Sequence, residues 1–367
     1  MSGYLRHIFS LIIAATVLFG CAKEEGMQPQ QDDFARLCLN VSVFDGAAYL
    51  GLPTKAEYAD AATDGEKMQT LRIVIVRPDG TVEHNKYFDF HQSPTTEFGT
   101  AKFKVEPDAE KTVYLFANEN APSMTDGGKA LNYNFDQKIV VGEQFPTDEV
   151  ANLQINLTEN VEQLSPVLLP MCEKHLLSNI VYTEKDLAYE YAADLFVVRA
   201  ATKFTFNIKN ATSREVTVSN LKIDKLARIE YYMPNGTTYS ETDSATGGRE
   251  ITGYNVPTIA NNDYYTFKTN LVNNRILEAN MSDFTTLGDH PIYLLEGKYT
   301  DAASEGKNYK LSLTINGVED SEYFPALPQL PRNTHAVVNI TIKDSGLSCT
   351  VQVMPYGAYE LNPDFGI

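Results

Sequence analysis

The sequence predicts an all-β protein made of two β-sandwich domains in tandem, with few short helices. Three observations carry this. Apolar and polar residues alternate with a period of two in many short segments, as at Leu37, Leu39, Val41 and Val43. Turn signals separate those segments at short intervals. Long amphipathic stretches with the 3.6-residue period of a helix are missing.

In chain order, Leu37 to Phe44 reads as a half-buried strand, with Cys38, Asn40 and Ser42 on its polar side. Asp45 to Lys67 is a long polar loop without a pattern of its own. Leu71 to Val76 is a more continuous apolar run, and Arg77-Pro78-Asp79-Gly80 supplies a turn. Val113 to Ala117 reads as a buried central strand. In the second half, Phe204, Phe206 and Ile208 alternate with Lys203, Thr205, Asn207 and Lys209. Leu311, Leu313 and Ile315 alternate likewise, and Asn316-Gly317 closes a tight hairpin. Ala336, Val338, Ile340 and Ile342 form another strand, and Cys349, Val351 and Val353 a last one. A short helix is expected within Thr183 to Ala193 and another within Asn274 to Phe284. The strand pattern is interrupted between Pro166 and Arg199, which places a domain boundary near residue 190. The domains expected are 37–190 and 191–367.

The chain has 367 residues, 43% of them hydrophobic and 11% aromatic, enough for more than one core. Its net charge is -18 with no basic block, which excludes nucleic acid as a partner. Cys38, Cys172 and Cys349 are odd in number and irregularly spaced, so buried thiols are expected rather than a disulfide framework. No nucleophile elbow, phosphate loop or paired-histidine metal helix occurs, and no catalytic residue, cofactor or metal is expected. Cys172 and His175 have a spacing that a metal can use but no further ligands at matching spacing, and His84 and His91 are unpaired. Two aromatic doublets, Tyr231-Tyr232 and Tyr264-Tyr265, could form a sugar-stacking face. Packing is the better reading, since tyrosine is common in strands and the chain has no Trp.

The N-terminus reads as a targeting segment. Arg6 and His7 precede an uncharged run from Ile8 to Gly20, too short to span a bilayer. Leu18-Phe19-Gly20-Cys21 resembles a bacterial lipobox, which implies a signal peptide over 1–20 and acylation of Cys21 with chains such as palmitate. An ordinary signal peptide that happens to precede a cysteine is the alternative. Ala22-Lys23-Glu24-Glu25 resembles the acidic export tag of surface lipoproteins of the Bacteroidetes, and residues 21–36 have the composition of a disordered tether.

Several further segments together resemble the fimbrillin superfamily, the subunits of type V pili in Bacteroidales. They are Val113-Tyr114-Leu115-Phe116-Ala117-Asn118, Leu168-Leu169-Pro170-Met171, Val198-Arg199-Ala200-Ala201-Thr202-Lys203-Phe204, Ile292-Tyr293-Leu294-Leu295-Glu296, Arg332-Asn333-Thr334-His335, and the terminal Val351-Gln352-Val353-Met354-Pro355-Tyr356. The resemblance implies two transthyretin-like β-sandwiches in tandem, exported as an outer-membrane lipoprotein. It also implies a structural role in a cell-surface fimbria concerned with adhesion. Partners would be other fimbrial subunits, the outer membrane through the lipid before maturation, and a host or bacterial surface receptor. In shaft subunits of that family a trypsin-like protease removes the first strand, and a strand from the C-terminal part of the next subunit fills the groove.

Carried onto this chain, Leu37, Leu39, Val41 and Val43 belong to the removable strand, and Cys349, Val351 and Val353 to the donor strand. Lys55 in the loop is the candidate cleavage site, with Lys67 at the loop's end. Arg36 is a second candidate, where a cut would free the lipid without opening a groove. The alternatives are a non-polymerising anchor or tip subunit, and a surface glycan-binding lipoprotein.

Overall fold

The computed structural model describes residues 34–44, 63–121, 125–126, 129–130, 133–156, 168–185, 188–234, 238–239, 251–253, 264–269, 272, 274–298, 309–324 and 329–354. In its first half the strands are β1 (Ala35–Val43), β2 (Thr70–Val76), β3 (Val82–Asp89), β4 (Glu97–Val105), β5 (Glu110–Ala117), β6 (Gln154–Asn156), β7 (Met171–Ser178), β8 (Thr183–Lys185) and β9 (Ala188–Arg199). Strand order is β3-β2-β5-β7 on one side and β4-β1-β9 on the other, with β8 beside β9. Glu190 to Val197 of β9 pairs with β1, whereas its last two residues pair with Cys172 and Met171 of β7. β9 therefore passes from one sheet to the other and joins them along an edge.

The period-two pattern explains what lies between the sheets. Leu37, Leu39, Val41 and Val43 of β1 meet Leu71, Ile73 and Ile75 of β2 and Val113, Leu115 and Ala117 of β5. β2 is buried throughout, Arg72 included, because its other face is covered too. Val74, Val76, Tyr114 and Phe116 pack under Phe135, Ile139, Phe145, Val150 and Ile155. These come from a layer containing α1 (Phe135–Lys138) and α2 (Thr147–Ala151). Asn134 starts α1 by accepting the Gln137 N–H at 3.1 Å.

The second half contains β10 (Thr202–Asn210), β11 (Val216–Ala227), β12 (Ile229–Tyr231), β13 (Tyr264–Thr269), β14 (Arg275–Leu277), β15 (Thr285–Leu294), β16 (Lys310–Ile315), β17 (Val318–Tyr323), β18 (Thr334–Lys343) and β19 (Gly346–Met354). One sheet has the order β15-β10-β18-β19 and the other β13-β11-β16-β17, with β14 also on β11. Phe204, Phe206, Ile208, Leu311, Leu313, Val338 and Ile340 fill the space between them. Asn316 and Gly317 have φ of 48° and 84° between the paired residues Ile315 and Val318, the two-residue hairpin expected. The all-β class with packed sheets is thus the one predicted.

Three expectations are corrected. The described residues of Thr183 to Ala193, 183–185 and 188–193, are strand rather than helix, because β9 is drawn into a parallel ladder with β1, and that pairing overrides local helix propensity. Asn274 to Phe284 is the short strand β14 followed by a turn at Asn280, whose φ is 55°. Residue 190 does not separate the two halves. β9 runs through it within the first sheet pair, and the chain crosses at Ala200–Ala201, immediately before β10.

Asn118, closing the Val113–Asn118 segment, shows why a strand here ends in asparagine. Its φ is 55°, which asparagine tolerates better than most residues. Its fully buried amide accepts from the Gln69 N–H at 2.9 Å and the Thr70 N–H at 3.3 Å. It donates to the carbonyls of Leu169 at 2.8 Å and Lys67 at 3.0 Å. Asn118→Ala would leave buried backbone groups without partners, so a loss of about 2–3 kcal/mol is expected. Urea unfolding followed by circular dichroism measures it, and a loss below about 0.5 kcal/mol would contradict this role.

Candidate assembly site

β1 is an inner strand, antiparallel to β4 and parallel to β9. Leu37 and Leu39 have no exposure, and Val41 and Val43 only 2% each. Each such side chain contributes roughly 1.5–3 kcal/mol by burial, so the strand is held mainly by its inner face. Its outer face is polar. Arg36 Nη1 lies 3.1 Å from Glu190 Oε1, and Asn40 donates to Asp194 at 2.7 Å while accepting from Thr100 at 2.8 Å. Without β1, β4 and β9 would flank an apolar slot with unsatisfied ladder groups on both sides.

Both sides of the 45–62 segment are fixed by one buried polar cluster. On the β1 side, the Phe44 carbonyl accepts from Arg199 Nη1 at 3.3 Å and Asn333 Nδ2 at 3.0 Å. On the other side, the Glu66 carbonyl accepts from Arg199 Nε at 2.8 Å. The Glu66 carboxylate meets Lys203 Nζ at 2.9 Å and the Tyr293 hydroxyl at 2.7 Å. Burial, and then Glu66, push the Tyr293 hydroxyl far above its ordinary range. Arg199, Lys203, Tyr293 and Asn333 all lie in segments that carried the family resemblance. Asn333 is held at φ 51°, the second of those segments to end a strand connection on a left-handed asparagine.

A second buried group lies beside it. Arg332 forms ion pairs with Glu230 and, at 2.7 Å, with Glu296, and donates to the carbonyls of Tyr232 at 2.8 Å and Tyr231 at 2.6 Å. Tyr232 in turn donates across to the carbonyls of Met171 at 2.9 Å and Ala117 at 3.1 Å in the first sheet pair. Burial raises its hydroxyl well above the usual range, and does the same to the Glu230 carboxyl, against the pull of Arg332. The Tyr231-Tyr232 doublet is therefore a junction, with Tyr232 buried and Tyr231 half-exposed. The side chains of Tyr264 and Tyr265 lie outside the described residues.

The basic candidates differ in setting. Lys55 lies outside the described residues, as does Cys21. Arg36 has its backbone paired on both sides, opposite Glu190 and Lys104. The Lys67 carbonyl accepts from Asn118, and the next residue, Met68, is fully buried. A protease needs backbone free of such bonds, so Arg36 and Lys67 are shielded in the folded chain.

At the other end, β19 pairs with β18 in its own sheet, with Cys349 opposite Ile340, Val351 opposite Val338 and Val353 opposite Ala336. Cys349 is buried, its thiol 3.2 Å from the Tyr323 carbonyl and pushed by burial up to about 12. Val351 is half-buried, and residues 355–367 lie outside the described residues. Among the described residues no strand pairs with the other edge of β19.

The remaining candidates are structural in setting. Cys38, Cys172 and Cys349 are free thiols, as expected. His175 Nε2 lies 2.7 Å from the Phe196 carbonyl, His84 Nε2 2.7 Å from that of Lys104, and His91 Nδ1 2.6 Å from Asp89. Among the described residues no group of three or more His, Cys, Asp or Glu could hold a metal ion. Sequence reasoning missed Glu66 and Glu230, and it placed Lys203 on an outward face. Lys203 is 1% exposed, because that face of β10 meets the junction rather than water.

No protein-family model and no curated protein matches the chain in sequence. Solved structures do. The fimbrilin (fimA) of Porphyromonas gingivalis is 14% identical, over 88% of this chain and 98% of its own, with a TM-score of 0.48. A fimbrial assembly protein from Parabacteroides distasonis is 11% identical, over 87% and 95%, at 0.44. The tip fimbrial protein Mfa3 from Porphyromonas gingivalis, with C-terminal truncation, is 9% identical over 88% of this chain and 99% of its own, at 0.53. At that likeness and coverage, this chain has the fold of the tip fimbrial protein Mfa3.

Proposed function

We propose that this chain is a fimbrillin-type structural subunit of a bacterial cell-surface fimbria that acts in adhesion. It is delivered as an outer-membrane lipoprotein through Cys21, and proteolysis at Lys55 makes its first strand replaceable by a strand of a neighbouring subunit. The observation that carries this is the setting of β1. It is an apolar inner strand between β4 and β9, followed by the 45–62 segment that holds Lys55, while Arg36 and Lys67 are shielded. Replacement of such a strand is β-augmentation, with affinity from ladder bonds and from buried Leu and Val side chains. The fold shared with the tip fimbrial protein Mfa3 supports the fimbrial-subunit part of this reading.

A second reading, a tip subunit that accepts a strand without donating its own end, is favoured by β19. That strand is already paired along its length with β18. Trypsin treatment of the purified precursor tests both readings. N-terminal sequencing should find a new terminus at Ala56. Gel ladders then support a shaft subunit, and a cut chain that stays single supports a tip. Cutting only at Arg36 would sink both.

A further inference from the structure

We propose that the slot occupied by β1 selects a strand with a cationic or amide side chain at each of the two outward positions facing Glu190 and Asp194. Residues 346–367 are not such a strand, which points to an incoming strand from a different protein. The inference rests on the replaceable-strand reading and names the partner's chemistry.

The inner face of the slot asks only for alternating apolar residues. Many strands meet that demand, Leu347, Cys349, Val351 and Val353 included, so apolarity alone cannot choose among partners. The outer face is more demanding. Arg36 and Asn40 stand directly opposite Glu190 and Asp194 in the parallel register of β1 and β9. They meet those carboxylates at 3.1 Å and 2.7 Å, and Thr100 on β4 holds the Asn40 amide oxygen at 2.8 Å, which fixes its NH₂ toward Asp194. The Glu190 side chain is only 11% exposed, so a strand lacking a donor there would strip its water and return nothing.

On the β4 side, Lys104 and Lys102 stand opposite Arg36 and Cys38, both exposed, with Lys104 Nζ 4.1 Å from the centre of the Phe34 ring. They let an acidic strand bind weakly and do not remove its repulsion from Glu190. Residues 346–367 contain no Lys or Arg, and their two amide side chains, Gln352 and Asn362, stand ten residues apart rather than the four that separate Arg36 from Asn40, so no placement fills both positions; the segment also carries Glu360 and Asp364. Their first part is also already taken up by β18.

Three synthetic peptides test the proposal on the full chain nicked by trypsin, with the nick verified at Lys55. They are residues 34–44 as they stand, the same peptide with Arg36→Glu and Asn40→Asp, and residues 346–367. The unaltered peptide should enter the slot. The doubly substituted one should bind roughly fivefold to tenfold more weakly, and the C-terminal one no better than that. In a Glu190→Lys, Asp194→Lys chain the order of the first two should reverse. Equal affinity of the first two peptides for the unaltered chain, no reversal in the substituted chain, or tight binding of the third would each overturn the inference while leaving strand replacement standing. Failure of the unaltered peptide to enter would remove the replaceable-strand reading and the inference with it.

Discussion

Arg332→Met is expected to cost about 3–5 kcal/mol of stability, because it leaves Glu230 and Glu296 buried together without their guanidinium. Arginine supplies what methionine cannot, a planar fork that meets the Glu296 carboxylate through Nε and Nη2 at 2.9 and 2.7 Å. The same fork caps the carbonyls of Tyr231 and Tyr232, and Tyr232 reaches across to the first sheet pair. Loss of Arg332 should therefore loosen the junction as well as the second sandwich. A triple variant, Arg332→Met with Glu230→Gln and Glu296→Gln, should recover much of the loss, since no buried charge is then stranded. Burial already raises the Glu230 carboxyl, so the single variant's deficit should shrink as pH falls and Glu230 takes up a proton. Urea midpoints at neutral and acidic pH read both effects. A single variant as stable as the parent would contradict the role given to Arg332.

The second large effect is a dependence on pH. His335 is buried, with Nε2 2.9 Å from the Thr205 hydroxyl and Lys203 directly across the ladder. Burial, and then Lys203, lower its imidazole from 6.5 to about 3. The folded chain thus keeps it neutral where the unfolded chain protonates it. The unfolded state binds the extra proton between those values, so stability is intact above pH 6.5 and falls as pH drops toward 3. The slope from this one group is about 1.4 kcal/mol per pH unit within that window. Chemical unfolding of the parent and of His335→Gln from pH 7 to pH 4 should show curves that diverge by that slope, with the variant flatter. Parallel curves would mean that His335 is protonated in the folded chain.

Much of the fold could be read from residue order because a half-buried strand repeats every two residues. Leu37 to Val43, Phe204 to Ile208 and Ala336 to Ile342 all point inward where alternation puts them. Asn316-Gly317 was legible because few residue pairs accept two positive φ angles. Thr183 to Ala193 was not, since only the distant partner β1 turns its mixture of Ala, Glu and Tyr into a strand. The junction was legible only as fragments. Arg199, Lys203, Tyr293, Asn333 and Arg332 were visible in segments resembling fimbrillins, but nothing local shows that they meet, because they come together from three segments far apart in the chain. Lys203 misleads most, since alternation turns it toward water while tertiary packing buries it against Glu66. The nearest local signal for Glu66 was Thr63 three residues earlier, the spacing of a capping box, and the two are joined here through the Thr63 N–H at 2.9 Å.

The replaceable first strand is tested most directly by native mass spectrometry of the full chain nicked at Lys55, mixed with excess isotope-labelled peptide of residues 34–44. The expected result is a species in which the labelled peptide has replaced the fragment ending at Lys55, and which includes residues 56–367. A nicked chain that keeps its original fragment under those conditions, with β1 still between β4 and β9, would contradict it.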